Sequence, residues 1–175
     1  MIGPMRTVLV GERPREVEEL IERRRALGQD LFDEVWEGEY HMVPAPHGRH
    51  GQVDEELAVI LRPLAKQAGL RGSGPCNIGT PDDYRVPDRA YLADVTPQTF
   101  YPYAEIVVEI VSPGDESRDK FDFYFRAGVK EILIVDPGAR TVEWFDRDGG
   151  GFRPAEGSAL LGISAPDLRE RIDWP

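Results

Sequence analysis

The chain has 175 residues, of which 41% are hydrophobic and 30% charged, with 32 acidic residues against 21 basic ones and a formal net charge of −11. That composition suits one soluble domain with a real core and excludes collagen-like, low-complexity and wholly disordered chains; no stretch approaches the ~20 apolar residues a membrane helix needs. The acidic excess disfavours tight, sequence-independent binding of bare DNA unless charge is locally separated or a metal intervenes.

Residues 15–27 predict a first helix: Val17, Leu20, Ile21 and Leu27 fall near one face, Pro14 stands before the start and Gly28 after the end. Its basic run Glu22-Arg23-Arg24-Arg25 reads as a solvated face. Residues 33–43, with Glu37-Gly38 at their centre, predict a hairpin, and Pro44-Ala45-Pro46 breaks it off. A second helix spans about 50–68 on the stripe Val53, Leu57, Ile60, Leu61 and Leu64, with Pro63 marking a kink or irregularity. Short strands follow around 76–80, 89–92, 106–111, 131–135 and 141–145. A helix over about 117–127 precedes the fourth of them and stops at Gly128. Asp136-Pro137-Gly138 is turn chemistry and joins the last two strands as a hairpin; a short helix closes the chain at 166–171. The fold class is α/β (α+β), a mixed β-sheet flanked by helices. Residues 1–32 are read as an N-terminal helical extension and 33–175 as a single domain.

The opening Met1-Ile2-Gly3-Pro4-Met5 lacks the positive start and long apolar core of a secretion signal, and a single cysteine, Cys76, cannot form an internal disulfide. Both point to the cytoplasm. Cys76 reads as a small core-facing residue, with no histidine nearby in sequence to activate it.

Four residues carry candidate chemistry. In Ile106-Val107-Val108-Glu109-Ile110-Val111, side chains alternate, so Glu109 shares a face with Val107 and Val111. A carboxylate there needs a metal, a basic partner or water; the bland alternative is a strand-end side chain pointing at solvent. Asp88, in Val86-Pro87-Asp88-Arg89, opens a short strand, and two carboxylates on neighbouring strands can converge on one hard cation, Mg²⁺ or Mn²⁺. Lys120 lies in the first turn of its helix and shares a face with Tyr124; the alternative is a surface lysine with a buried stem. His50 faces inward at the start of the second helix, where a structural histidine is the commoner reading.

The run Val108-Glu109-Ile110-Val111-Ser112-Pro113-Gly114-Asp115, then Lys120, then Tyr124-Phe125-Arg126-Ala127-Gly128-Val129-Lys130-Glu131 and Ile134-Val135-Asp136-Pro137, resembles the Uma-type restriction endonuclease family of the PD-(D/E)XK nucleases. The resemblance extends upstream through Pro87-Asp88 and Met42-Val43-Pro44-Ala45-Pro46 with His50, and downstream to Ile172-Asp173-Trp174-Pro175. It implies a restriction-endonuclease-like core carrying an additional N-terminal helix and hairpin. It also implies metal ligation by Asp88, Glu109 and the backbone carbonyl of Ile110, with Mg²⁺ or Mn²⁺ as cofactor. The motif's lysine is due at position 111, where Val111 stands; the family places it on the following helix, here Lys120. His50 becomes an auxiliary group, and the superfamily's helical glutamate has no clear match, since Asp54 and Glu56 only flank the helix stripe.

The expected function is divalent-metal-dependent hydrolysis of phosphodiester bonds in nucleic acid, with DNA the favoured polymer, no membrane partner and a homodimer as one assembly to test. Two alternatives stay open. One is a nuclease fold that has lost catalysis and works as an interaction or dimerisation module. The other is a hydrolase of small phosphate esters.

Overall fold

A computed structural model describes residues 7–11 and 13–175; the opening pentapeptide read above for a secretion signal lies outside the described residues. Helix α1 spans Arg15–Ala26 and α2 spans Gly48–Gln67. Helix α3 spans Phe121–Ala127 and α4 spans Ala165–Arg171. The segment predicted as one helix over 117–127 starts instead as a 3₁₀ turn, Ser117–Lys120, that runs into α3.

Among the described residues the strands divide between two six-stranded sheets and a small C-terminal hairpin. The first sheet has the spatial order Thr7–Leu9, Glu39–Met42, Glu34–Trp36, Asp83–Arg85, Asn77–Thr80, Phe100–Tyr101. The second runs Gly151–Ala155, Thr141–Asp148, Glu131–Asp136, Ile106–Ile110, Arg89–Leu92, Arg71–Ser73. Within the second sheet, Ile106–Ile110 lies parallel to Glu131–Asp136 and antiparallel to Arg89–Leu92. The parallel pair needs a crossover, and the 3₁₀ turn with α3 supplies it. The expected mixed sheet flanked by helices is therefore present, with the N-terminal hairpin carried in the other sheet beside Asp83–Arg85, Asn77–Thr80 and Phe100–Tyr101.

All five residues of Ile106–Ile110 are buried, because both faces of that strand are covered. Ile106, Val108 and Ile110 meet the α2 stripe of Val53, Leu57, Leu61 and Ala65, together with Leu168 of α4. On the other face Val107, Ile132 and Ile134 meet Phe123 and Tyr124 of α3. Glu109 belongs to this second face by alternation, and its partners below bear that out.

Local chemistry explains the element ends. Glu37 and Gly38 take positive φ of 50° and 92°, the consecutive left-handed pair that a two-residue hairpin turn demands. Gly128, at φ 93°, ends α3 in the left-handed cap that glycine adopts without penalty. Helix α2 continues through Pro63. Of the basic run in α1, Arg24 is not simply solvated: its guanidinium grips the fully buried carboxylate of Asp33 at 3.0 and 2.9 Å. Asp33 also accepts from the Tyr40 hydroxyl at 2.9 Å and the Val43 N–H at 2.9 Å, which locks helix, hairpin and following loop together. Ile21 of α1 packs against Val35, Tyr40 and Tyr84. Pro81-Asp82 forms a turn that leads into the strand Asp83–Arg85.

Gly79 has a tight environment. It sits at φ +123° opposite Tyr84, and an added Cβ would run into the Asp83 carbonyl oxygen and come within 2.9 Å of the Phe123 ring. Gly79→Ala is expected to destabilise the protein by about 3 kcal/mol or more through backbone strain and overpacking. Urea denaturation tests this as a lowered midpoint at unchanged slope.

Candidate active site

The site forms where the two sheets meet α2 and α3. Glu109 projects from the buried central strand toward α3. Its carboxylate accepts the Lys120 ammonium at 3.1 and 3.2 Å and the Tyr124 hydroxyl at 2.5 Å. Lys120 also reaches Glu34 of the first sheet, at 2.9 Å. The ammonium is thus clamped between two buried carboxylates from two different sheets. The 3₁₀ turn sets this geometry: it brings position 120 in just before α3 begins, and Tyr124 follows one helical turn later on the same face.

Asp88 precedes the strand Arg89–Leu92. Arg89 pairs with Val108, so continuing the antiparallel register by one residue puts Asp88 opposite Glu109. One Asp88 oxygen accepts the Ile110 N–H at 2.6 Å, and the other lies 3.0 Å from His50 Nε2. His50 comes from the first turn of α2, with its Nδ1 buried and without a hydrogen-bond partner. Asp88, Glu109, Ile110, Lys120 and His50 all line one pocket of about 420 Å³, along with Glu34. The four candidate residues Asp88, Glu109, Lys120 and His50 are therefore brought together here.

Two participants were missed. Glu34 is 1% exposed; besides Lys120 it accepts the Trp36 indole N–H at 2.6 Å and the Val86 N–H at 2.8 Å. Its signal in the sequence was faint: a second acid beside Asp33 at the start of a strand. Tyr124 was noted as sharing a face with Lys120, but its bond to Glu109 depends on the crossover geometry. Asp54, one of the two acids flanking the α2 stripe, is engaged elsewhere, with Arg89 gripping both of its oxygens at 2.8 Å.

The electrostatics follow from burial and crowding. Removal from water pushes the Glu109 carboxyl up to about 8; Lys120 and the Tyr124 bond work against the rise, and the charges of Asp88 and Glu34 add to it. Burial works against the charge on Lys120, yet Glu109 and Glu34 hold its proton more firmly than usual. Burial likewise opposes the charge on His50, and the hydrogen bond and charge of Asp88 overcome it, so its pKa is raised. Cys76 takes no part; burial lifts its thiol to about 11.

Among the described residues, no group of three or more histidine, cysteine, aspartate or glutamate side chains is assembled as a ready metal cage. The donor chemistry nonetheless suits a hard divalent cation. Three carboxylates face one ammonium in a buried pocket, and two carboxylates with a backbone carbonyl and waters are the ligand set Mg²⁺ accepts.

The chain's family is decided by a family model that matches residues 17–169, the Uma2 model, described as a putative restriction endonuclease. The chain belongs to the Uma2 family. Membership supports a nuclease function. Among solved structures, this Uma2 chain is similar to a putative nuclease belonging to DUF820 from Anabaena variabilis ATCC 29413. The two share 18% sequence identity at a TM-score of 0.63, over 80% of this chain and 90% of the other. At that identity the likeness concerns the fold, which is nuclease-like. No curated protein matches. Among the described residues of this Uma2 protein no helix is long and apolar enough to cross a membrane.

Proposed function

We propose that this chain is a divalent-metal-dependent endonuclease hydrolysing phosphodiester bonds of nucleic acid, with DNA the favoured polymer. The observation that carries the reading is the convergence of Asp88, Glu109 and Lys120 on one pocket within a family of nuclease-like proteins. Asp88 and Glu109, with the Ile110 carbonyl, would hold Mg²⁺ or Mn²⁺. When bound, the cation supplies Lewis acidity toward the phosphate and the attacking water.

The chain's own groups do the rest. His50 and the Ile110 N–H fix the two oxygens of Asp88 in place. The Tyr124 hydroxyl orients Glu109. The Lys120 ammonium, on a flexible stem, is the group available to meet negative charge developing on the phosphate oxygens. Glu34 anchors that ammonium at the pocket floor.

A second reading rests on a specific observation: Lys120 already satisfies Glu34 and Glu109 with no further cation. That suits a nuclease fold serving as an interaction module. A cleavage screen on plasmid, oligonucleotides and a chromogenic phosphodiester, with Mg²⁺ and with Mn²⁺, separates the cases. The nuclease reading predicts metal-dependent cleavage of a polymer that is lost in Asp88→Ala. Cleavage of the chromogenic ester alone makes the chain a small-ester hydrolase, and no cleavage of any substrate favours the module.

A further inference from the structure

We propose that the nucleic acid enters this pocket unpaired, as a nucleotide of a single strand, and that intact duplex is excluded. The inference rests on the nuclease reading and narrows its substrate.

The first observation is depth. Glu34, Glu109, Lys120 and His50 are 1%, 3%, 7% and 5% exposed, so these four groups lie at the floor of the pocket, with the Asp88 side chain, 20% exposed, closer to its mouth. Two chain segments, 43–47 and 112–117, form part of the pocket's walls. At about 420 Å³ the space falls in the range of small-ligand pockets, roughly 300–1,000 Å³. A duplex presents its phosphates on the outside of a stiff cylinder and meets a groove or an open face more readily than a recess of this size.

The second observation is the chemistry of the walls. Phe32, Val43, Pro44, Pro46, Val86 and Pro113 make much of the lining apolar. A splayed nucleobase has flat apolar faces and gains by stacking on an aromatic ring such as Phe32; a paired, stacked base has no face to offer.

The third is charge. Duplex affinity grows with the number of lysines and arginines set against phosphates. Among the described residues, Lys120 is the sole lysine or arginine lining the pocket, and it is bound to two carboxylates, while Asp115 and Glu116 line the same pocket. With a net charge of −11 behind it, this mouth repels a second strand. One backbone segment, drawn in by a cation at Asp88 and Glu109 and by base stacking, meets far less repulsion.

The test is fluorescence anisotropy of the full chain in Ca²⁺, using an end-labelled single-stranded DNA, the same DNA in duplex, and a single-stranded RNA of that sequence. The proposal predicts at least about tenfold tighter binding of single strand than duplex. The two single-stranded arms identify which polymer is preferred. Phe32→Ala should weaken single-strand binding about tenfold while leaving Mn²⁺ affinity and the unfolding midpoint unchanged, and Phe32→Trp should restore it. Equal or tighter binding of duplex overturns the proposal and leaves the nuclease reading standing. So does Phe32→Ala binding as the parent does. Failure of every polymer both to bind and, in Mn²⁺, to be cleaved removes the nuclease reading and this inference with it.

Discussion

Lys120→Met is expected to cost the metal-free protein about 3–5 kcal/mol, to bind Mn²⁺ more tightly than the parent, and to cleave nucleic acid about 10²–10³-fold more slowly. All three effects come from one ammonium. It lies 2.9 Å from Glu34 and 3.1 Å from Glu109, in a site where all three side chains are buried. Removing one partner of a buried ion pair leaves the other charge uncompensated, which is why the stability loss far exceeds that of a surface pair. The same ammonium competes with any divalent cation for Glu109, so its removal frees the carboxylate for metal. What the variant lacks is a positive group able to follow charge onto the phosphate. Denaturation with and without Mn²⁺, calorimetry and single-turnover cleavage read the three effects separately. A variant as stable as the parent, and cleaving at the parental rate, would show that Lys120 is a bystander.

The second large effect is a reversal of pH dependence by metal. Burial, with Asp88 and Glu34 adding to it, raises the Glu109 carboxyl from 4.5 to about 8. A carboxyl raised on folding favours the protonated form of the folded state. Its contribution is present in full below about 4.5 and is lost as pH rises through about 8. His50 is also raised, so it acts in the same direction. The metal-free protein should therefore lose stability between about pH 4.5 and 8, by up to ~1.4 kcal/mol per pH unit for each proton released. A cation binds the ionised carboxylate, so Mn²⁺ affinity should climb about tenfold per pH unit below about 8 and level off above it. At saturating Mn²⁺ the stability slope flattens or inverts. Thermal unfolding across this range, on the parent and on Glu109→Gln, is the measurement. Glu109→Gln should show a shallower slope and no Mn²⁺ response. A parent slope that Mn²⁺ leaves untouched would place the metal elsewhere.

The fold was legible where periodicity was strong. The α2 stripe and the central apolar strand could be read directly, because each buries a whole face and so leaves a regular pattern. The strands Thr7–Leu9, Arg71–Ser73, Asp83–Arg85 and Phe100–Tyr101 were not foreseen. They are two or three residues long, and runs that short carry no period; their pairing is set by neighbours distant in sequence. Asp88, Glu109, Lys120 and His50 were found through alternation, helix facing and family motif together. Glu34 was not, because its approach to Lys120 joins residues 86 positions apart across two sheets, and no local rule reports such a contact. Arg24 was misread for the same reason: its partner Asp33 lies beyond the helix and a turn.

Calorimetric titration of Mn²⁺ into the full chain, alongside Asp88→Ala and Glu109→Ala, tests the central claim most directly. One cation per parent chain is expected, with affinity at least about a hundredfold weaker in each variant and the circular dichroism of the fold retained. Parental affinity in both variants would contradict a cation held between these two carboxylates, and with it the catalytic account.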